Sequence, residues 1–190
     1  MCTDVPSLTR ARGRACLRRG SHVPHEGGSY VGAWVHGKKH GHGKMIYANG
    51  TVYDGAWLAN ERHGRGAQTD NGGNKYLGEW EHGKRHGTGS FTFGTTGVQY
   101  VGAWSDDRMH GDGVLREPRG KRVEGTWGMG KRNGAFVTTY AGLPKVEREV
   151  YKEGQLMSYE EEERELAPAA DDDAEGVASP ASPASVMQVV

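Results

Sequence analysis

This 190-residue chain has almost no cysteine: Cys2 and Cys16 are the only two, both close to the N-terminus, and their spacing suits neither a zinc site nor a disulfide framework. Long apolar runs are missing as well. Nothing approaches the roughly 20 residues of a membrane-spanning helix, and no apolar h-region before a cleavage site, myristoylation start or prenylation end is found. With 35% hydrophobic residues and a mean hydropathy of −0.75, the chain holds too little apolar material for a thick globular core. Net charge is absent, 24 basic residues against 24 acidic, which speaks against nucleic acid as a partner. No Gly-x-Gly-x-x-Gly stands between a buried strand and a helix, and no Gly-Lys-Ser/Thr ending occurs, so no phosphate-binding loop is expected. No catalytic triad can be assembled either. The sequence therefore points to no catalytic residue and no cofactor.

What the chain has in quantity is glycine, 31 residues of it, in a strict pattern. Tyr30-Val31-Gly32-Ala33-Trp34 recurs as Tyr53-Asp54-Gly55-Ala56-Trp57, Tyr76-Leu77-Gly78-Glu79-Trp80, Tyr100-Val101-Gly102-Ala103-Trp104 and, worn, Val123-Glu124-Gly125-Thr126-Trp127. The first residues lie 23, 23, 24 and 23 positions apart, with an extra residue near Thr95-Thr96-Gly97. A second phrase keeps the same period: His40-Gly41-His42-Gly43, His63-Gly64-Arg65-Gly66, His86-Gly87-Thr88-Gly89, His110-Gly111-Asp112-Gly113 and Asn133-Gly134. Such self-similarity is the mark of a stacked repeat array. A sixth unit starts and fades, with Glu147, Glu149, Tyr151 and Gly154 in the places of Tyr30, Gly32, Trp34 and Gly37. Fading fits a terminal unit, one face of which meets water.

Alternation along a strand puts Tyr30, Gly32 and Trp34 on one face, and Gly41, Gly43, Met45 and Tyr47 on one face of the returning segment. Each repeat then reads as a β-hairpin. Glycine between two aromatics lets the ring of a neighbouring unit lie flat on the backbone. His36-Gly37-Lys38-Lys39 and its equivalents are the tight turns, and Asn49-Gly50, Asn71-Gly72-Gly73, Thr96-Gly97 and Arg119-Gly120 supply the joints between hairpins. Two strands at about 4.8 Å each give a rise of about 9.5 Å per repeat and a ribbon roughly 50 Å long. The fold class expected is all-β: an elongated single-layer array of stacked hairpins with disordered termini.

The motif Tyr-x-Gly-x-Trp-x-x-Gly-x-x-His-Gly-x-Gly resembles the MORN (membrane occupation and recognition nexus) repeat over about 30–154. Asn60 and Asp107 depart from it by replacing the glycine seen at Gly37, Gly83 and Gly130, and Val123 and Asn133 replace the aromatic and the histidine of repeat five. The resemblance implies a binding or structural protein. It also implies a possible enzyme attachment, as in plant lipid kinases and lysine methyltransferases, but only 29 residues precede the array and 36 follow it, too few for a catalytic domain. In array length, extra residue and acidic tail the chain is similar to radial spoke head proteins of motile cilia and related axonemal and parasite cytoskeletal scaffolds. The partners this implies are other proteins of a cytoskeletal or axonemal complex, with a location in the cytoplasm, cytoskeleton or ciliary axoneme. The alternative is a peripheral membrane tether for anionic phospholipid.

Charge is segregated. Residues 1–29 carry +3, 30–154 carry +5, and 155–190 carry −8. Three segments follow: a basic, disordered arm (1–29), the repeat array (30–154), and an acidic tail (155–190), disordered apart from a short helix over 158–166. The arm, Leu8 to Arg19, reads either as an unstructured basic segment or as an organelle transit peptide.

The periodic His40, His63, His86 and His110 invite a metal reading. Zinc needs its ligand nitrogens at about 2.0–2.1 Å, whereas equivalent positions on stacked repeats sit about 9.5 Å apart, so these are read as turn residues and no metal site is expected. The sharper feature is the pair of residues before each His-Gly or Asn-Gly: Lys38-Lys39, Glu61-Arg62, Lys84-Arg85, Arg108-Met109 and Lys131-Arg132. Eight of the ten are basic. In a regular array Lys38, Lys39, Arg62, Lys84, Arg85, Arg108, Lys131 and Arg132 line one edge at roughly the Debye spacing, a docking row for an acidic partner or lipid, with the chain's own tail as competitor. Ordinary solvated turn charge is the plain alternative. The end strands of an open array are unpaired edges, which adds a homodimer to the expected partners.

Overall fold

The computed structural model describes residues 18–22 and 28–163, and the Arg-rich arm up to residue 17 and the tail beyond 163 lie outside the described residues. The described residues form thirteen strands in one sheet: β1 (Arg18–His22), β2 (Ser29–Val35), β3 (Lys38–Ile46), β4 (Val52–Leu58), β5 (Glu61–Thr69), β6 (Lys75–Glu81), β7 (Lys84–Thr92), β8 (Gln99–Ser105), β9 (Arg108–Arg116), β10 (Lys121–Gly128), β11 (Lys131–Tyr140), β12 (Lys145–Lys152) and β13 (Gln155–Glu163). Sheet order equals chain order and every pairing is antiparallel, as stacked hairpins require. The all-β, single-layer expectation holds.

The sheet extends further at both ends than the sequence reading placed it. Arg18–His22, expected in the disordered arm, pairs with β2. Gln155–Glu163, expected as tail with a short helix, pairs with β12. The physical reason is tertiary: β12 leaves backbone groups unpaired, and its Lys145 and Arg148 meet Glu161 at 3.0 Å and Glu162 at 3.4 Å across the strands. Those contacts outweigh the helix preference of a glutamate run.

The core is a single row of rings on one face. Tyr30 meets Trp34 at 5.1 Å within its repeat and Trp57 of the next at 5.4 Å, both edge-on, and Tyr53, Tyr76 and Tyr100 repeat the arrangement with Trp57 and Trp80, Trp80 and Trp104, and Trp104 and Trp127. Edge-to-face pairs at this spacing contribute about 0.5–1.5 kcal/mol each beyond burial. Polar tips are satisfied locally. Each tyrosine hydroxyl donates to the carbonyl three residues on, and the indoles of Trp57, Trp80 and Trp104 donate to Gly43, Gly66 and Gly89 of the preceding repeat.

Glycine makes room for the rings. Gly20, Gly32, Gly43, Gly55, Gly66, Gly78, Gly89, Gly102, Gly113 and Gly125 are cross-strand partners in unbroken succession, a stripe running over β1 to β10. A Cβ on Gly43 would lie 2.2 Å from the Tyr30 hydroxyl, and one on Gly66 2.3 Å from that of Tyr53. The ring over each glycine pair thus belongs to the same repeat, not to a neighbouring one as the sequence suggested.

Repeat five is intact rather than worn. Val123 stands in the tyrosine place, but Phe136 stands where the other repeats have the returning glycine, opposite Gly125. Its ring fills the slot from the other strand, meeting Trp127 at 4.8 Å and Tyr151 at 5.5 Å. The spine therefore runs past Trp127, which is as buried as Trp80: both are 3% exposed.

Two predictions follow from the spine. Trp80→Ala and Trp127→Ala should each cost about 3–5 kcal/mol in denaturant melts, and the less buried Trp34 distinctly less. Burial also pushes the phenols of Tyr53 and Tyr76 far above the ordinary tyrosine value and that of Tyr100 up to about 12. A raised folded pKa means that the native state keeps protons which the unfolded chain, titrating near 10, has released. Stability is then whole below pH about 10 and is lost as pH rises toward about 12, which melts across that range will register.

Candidate functional site

The hairpin turns gather on one edge. In each, both central residues have positive φ, as in His36-Gly37, Ala59-Asn60, His82-Gly83, Asp106-Asp107, Met129-Gly130 and Glu153-Gly154, the signature of tight type I′ connections. Successive turns are tied together. The amides of Asn60, Gly83, Asp107, Gly130 and Gly154 donate to the carbonyls of Lys39, Arg62, Arg85, Met109 and Arg132, at 2.8–3.1 Å. Asn60 and Asp107, the departures from glycine, adopt the same backbone conformation and add a bond. Their side-chain oxygens accept the amides of Lys39 at 2.8 Å and Arg85 at 3.0 Å.

The eight cations predicted to line this edge divide into two sets, one step of alternation apart. Lys39, Arg62, Arg85 and Arg132 lie directly opposite Trp34, Trp57, Trp80 and Trp127 across their hairpins, hence on the spine face. Each covers the ring of the following repeat. The Lys39 ammonium is 4.4 Å from the Trp57 centroid, and the guanidinium carbons of Arg62, Arg85 and Arg132 are 4.2 Å from Trp80, 4.4 Å from Trp104 and 5.1 Å from Tyr151. Their donors are engaged as well. Arg62 bonds Gln68 and the Gly83 carbonyl, Arg85 bonds the carboxylate and carbonyl of Asp107 at 2.9 and 2.8 Å, and Arg132 bonds Glu149 and the Tyr151 hydroxyl at 3.0 and 2.9 Å. Burial also lowers the Lys39 pKa. These four hold repeats together; in repeat four, Met109 packs against the spine from the same place.

Lys38, Lys84, Arg108 and Lys131 point to water. Lys84 donates to Asp106 at 2.8 Å, which raises the lysine pKa and lowers that of the carboxyl through their hydrogen bond. Among the described residues Lys38, Arg108 and Lys131 make no ion pair. In the second turn the corresponding place is Glu61, which faces His82 at 3.2 Å. Four of the eight predicted cations thus stay on the solvent side, one of them engaged by Asp106, and Glu61 interrupts their row. Glu160–Glu163, the proposed competitors for it, lie in β13 at the C-terminal end of the sheet, with Glu161 and Glu162 against β12.

His42, His82 and His86 stand beside Asp54, Glu61 and Glu81, and His110 serves a turn. His110 Nδ1 lies 3.5 Å from the Met129 amide, and Asn133 Oδ1, one repeat later, accepts the Glu153 amide at 3.3 Å, so asparagine does the same work there. Among the described residues no three His, Cys, Asp or Glu side chains come together as a metal site would need.

One surface was missed in the sequence reading. On the face away from the spine a shallow groove of about 670 Å³ crosses the glycine stripe, lined by Leu77, Val101, Arg65, Glu79, Thr88 and Asp112. Leu77 is 66% exposed. Its signal in the sequence was the residue after each tyrosine, which must face away from the spine and is apolar at Leu77 and Val101.

Four consecutive segments, 30–52, 53–75, 76–98 and 100–122, match the sequence model of the MORN repeat. No curated protein matches the chain significantly. The hairpins β10–β11 and β12–β13 lie almost wholly beyond those segments and continue the same sheet.

The division of the cations is measurable. Arg62→Ala should lower stability by about 1–2 kcal/mol through the lost ring contact and packing, while Lys38→Ala stays within about 0.5 kcal/mol, as equilibrium melts of the two variants will show.

Proposed function

We propose that this chain, carrying four MORN repeats, is a non-enzymatic scaffold that works by binding proteins of a cytoskeletal assembly, of the axonemal or radial-spoke kind. What supports the reading is where the chemistry goes. The rings, the stacked arginines and the turn amides are consumed in joining repeats, and what remains is surface: an edge bearing Lys38, Lys84, Arg108 and Lys131 and a broad outer face. Surface of that kind binds rather than transforms. The assignment to cilia rests on the resemblance in array length and in the placing of the extra residue, and it puts the chain in the cytoplasm at a cytoskeletal structure.

The four exposed cations are the docking row of this reading, spaced about 10 Å or a multiple of it along the edge, for an acidic protein segment. Single exposed contacts are worth under about 1 kcal/mol, so the row acts as a sum. Anionic phospholipid is the second reading, since the same row attracts a negative headgroup surface.

Affinity purification with the full chain as bait from ciliated cells, read by mass spectrometry, tests the proposal. Recovery of axonemal proteins that falls at least several-fold with K38E/K84E/R108E/K131E supports it. A folded quadruple variant that recovers the same partners would remove the edge from consideration. Salt-sensitive flotation with phosphatidylserine vesicles, with no protein recovered, would favour the lipid reading.

A further inference from the structure

The sheet has two open ends of opposite charge. Among the described residues β1 pairs only with β2 and β13 only with β12, so within them each presents a row of unpaired backbone donors and acceptors. At the C-terminal end every residue of β13 is exposed, including Leu156, Met157 and Tyr159, and the strand closes on Glu160–Glu163. At the N-terminal end β1 opens on Arg18 and Arg19, with three more arginines in the eight residues before it. Twelve strand steps separate the two, about 58 Å along the stacking direction at about 4.8 Å per step, or some seven Debye lengths in physiological salt. The ends therefore do not neutralise each other across the array.

We propose that the partner of these edges is a second copy of this chain, added head to tail, with β13 of one molecule pairing antiparallel with β1 of the next. The antiparallel direction sets the Arg18–Arg19 end of β1 beside the Glu160–Glu163 end of β13, bringing unlike charges onto neighbouring strands. Glu161 and Glu162 already face Lys145 and Arg148 of β12, which leaves Glu160 and Glu163 as the carboxylates without an ion pair among the described residues. Pairing of like edges is disfavoured: β13 against β13 gathers eight glutamates in one ribbon, and β1 against β1 gathers the arginines. The opposite-edge contact is heterologous and does not close on itself. Because β1 and β13 run in the same direction, each added molecule is turned over about the long axis, so spine faces alternate along an open filament.

Sedimentation and light scattering of the full chain over a concentration series test this. At low salt the weight-average mass should climb past that of a dimer without a plateau, and at 1 M salt, where the Debye length is about 3 Å, it should return to the monomer. R18E/R19E and E160K/E163K should each be monomeric alone, and their equimolar mixture should assemble again, because both of its junctions are then complementary. A wild-type chain that stays monomeric or stops at a dimer overturns the proposal, as does a mixture of variants with unchanged melting curves that fails to associate. The salt dependence of the unsubstituted chain stands apart from any effect of the substitutions on folding.

Discussion

Everything in this molecule depends on a tyrosine ring lying flat on a pair of glycines. Glycine in a strand is entropically unfavourable, and ten in a row would be a poor sheet in isolation. The ring reverses the balance by covering the bare backbone, and one of the two tryptophans that meet it comes from the next repeat. No hairpin can complete its own packing, so each requires a neighbour. The same constraint explains why a chain of such low hydropathy folds: the core is one ring thick, and its polar tips bond to the backbone immediately beneath them.

A second ladder, of cations, runs beside the first. Lysine and arginine next to a turn look like solvated charge, yet Lys39, Arg62, Arg85 and Arg132 set their charged heads over a ring of the next repeat while their carbonyls accept amides of the next turn. The charge is present for its geometry as much as for its sign. Arg85 shows this most fully, with its ring contact, its Asp107 carboxylate and its backbone bond all made to the succeeding repeat. What the edge offers to a partner is only the remainder, a sparser row interrupted by Glu61.

Much of the fold was legible because period-23 spacing and period-2 alternation are both written in a few residue types, Tyr, Gly, Trp and His, that recur in nearly every unit. The ring over the glycine belongs to its own repeat, which spacing does not reveal, since both candidates lie within reach of the stripe. Phe136 was overlooked because it restores the ring from the opposite strand, and one-strand bookkeeping sees only the missing tyrosine at Val123. Glu160–Glu163 read as helix or tail because their strand exists only through β12. The candidate site was legible in kind and not in number. Parity already placed Lys39 with Trp34 and Lys38 away from it, and applying to the cations the alternation used for the aromatics would have separated the two sets.

The two edges of the sheet differ in the length changes they permit. Most joints are closed by an amide bonding to a carbonyl four residues on, as in Tyr47 to Thr51 and Glu117 to Lys121, whereas the one holding Thr95 and Thr96 spans five, Phe93 to Val98, and absorbs the single extra residue of the array. Beyond it the strands resume their register unshifted. At the opposite edge the same insertion would fall within a two-residue turn whose amide is already committed to the preceding repeat, and would turn inward faces outward along the following strand. Insertions and deletions in related chains should therefore collect at the joints, while duplication or loss of a whole 23-residue unit leaves every interface chemically unchanged and makes reach along the array freely adjustable.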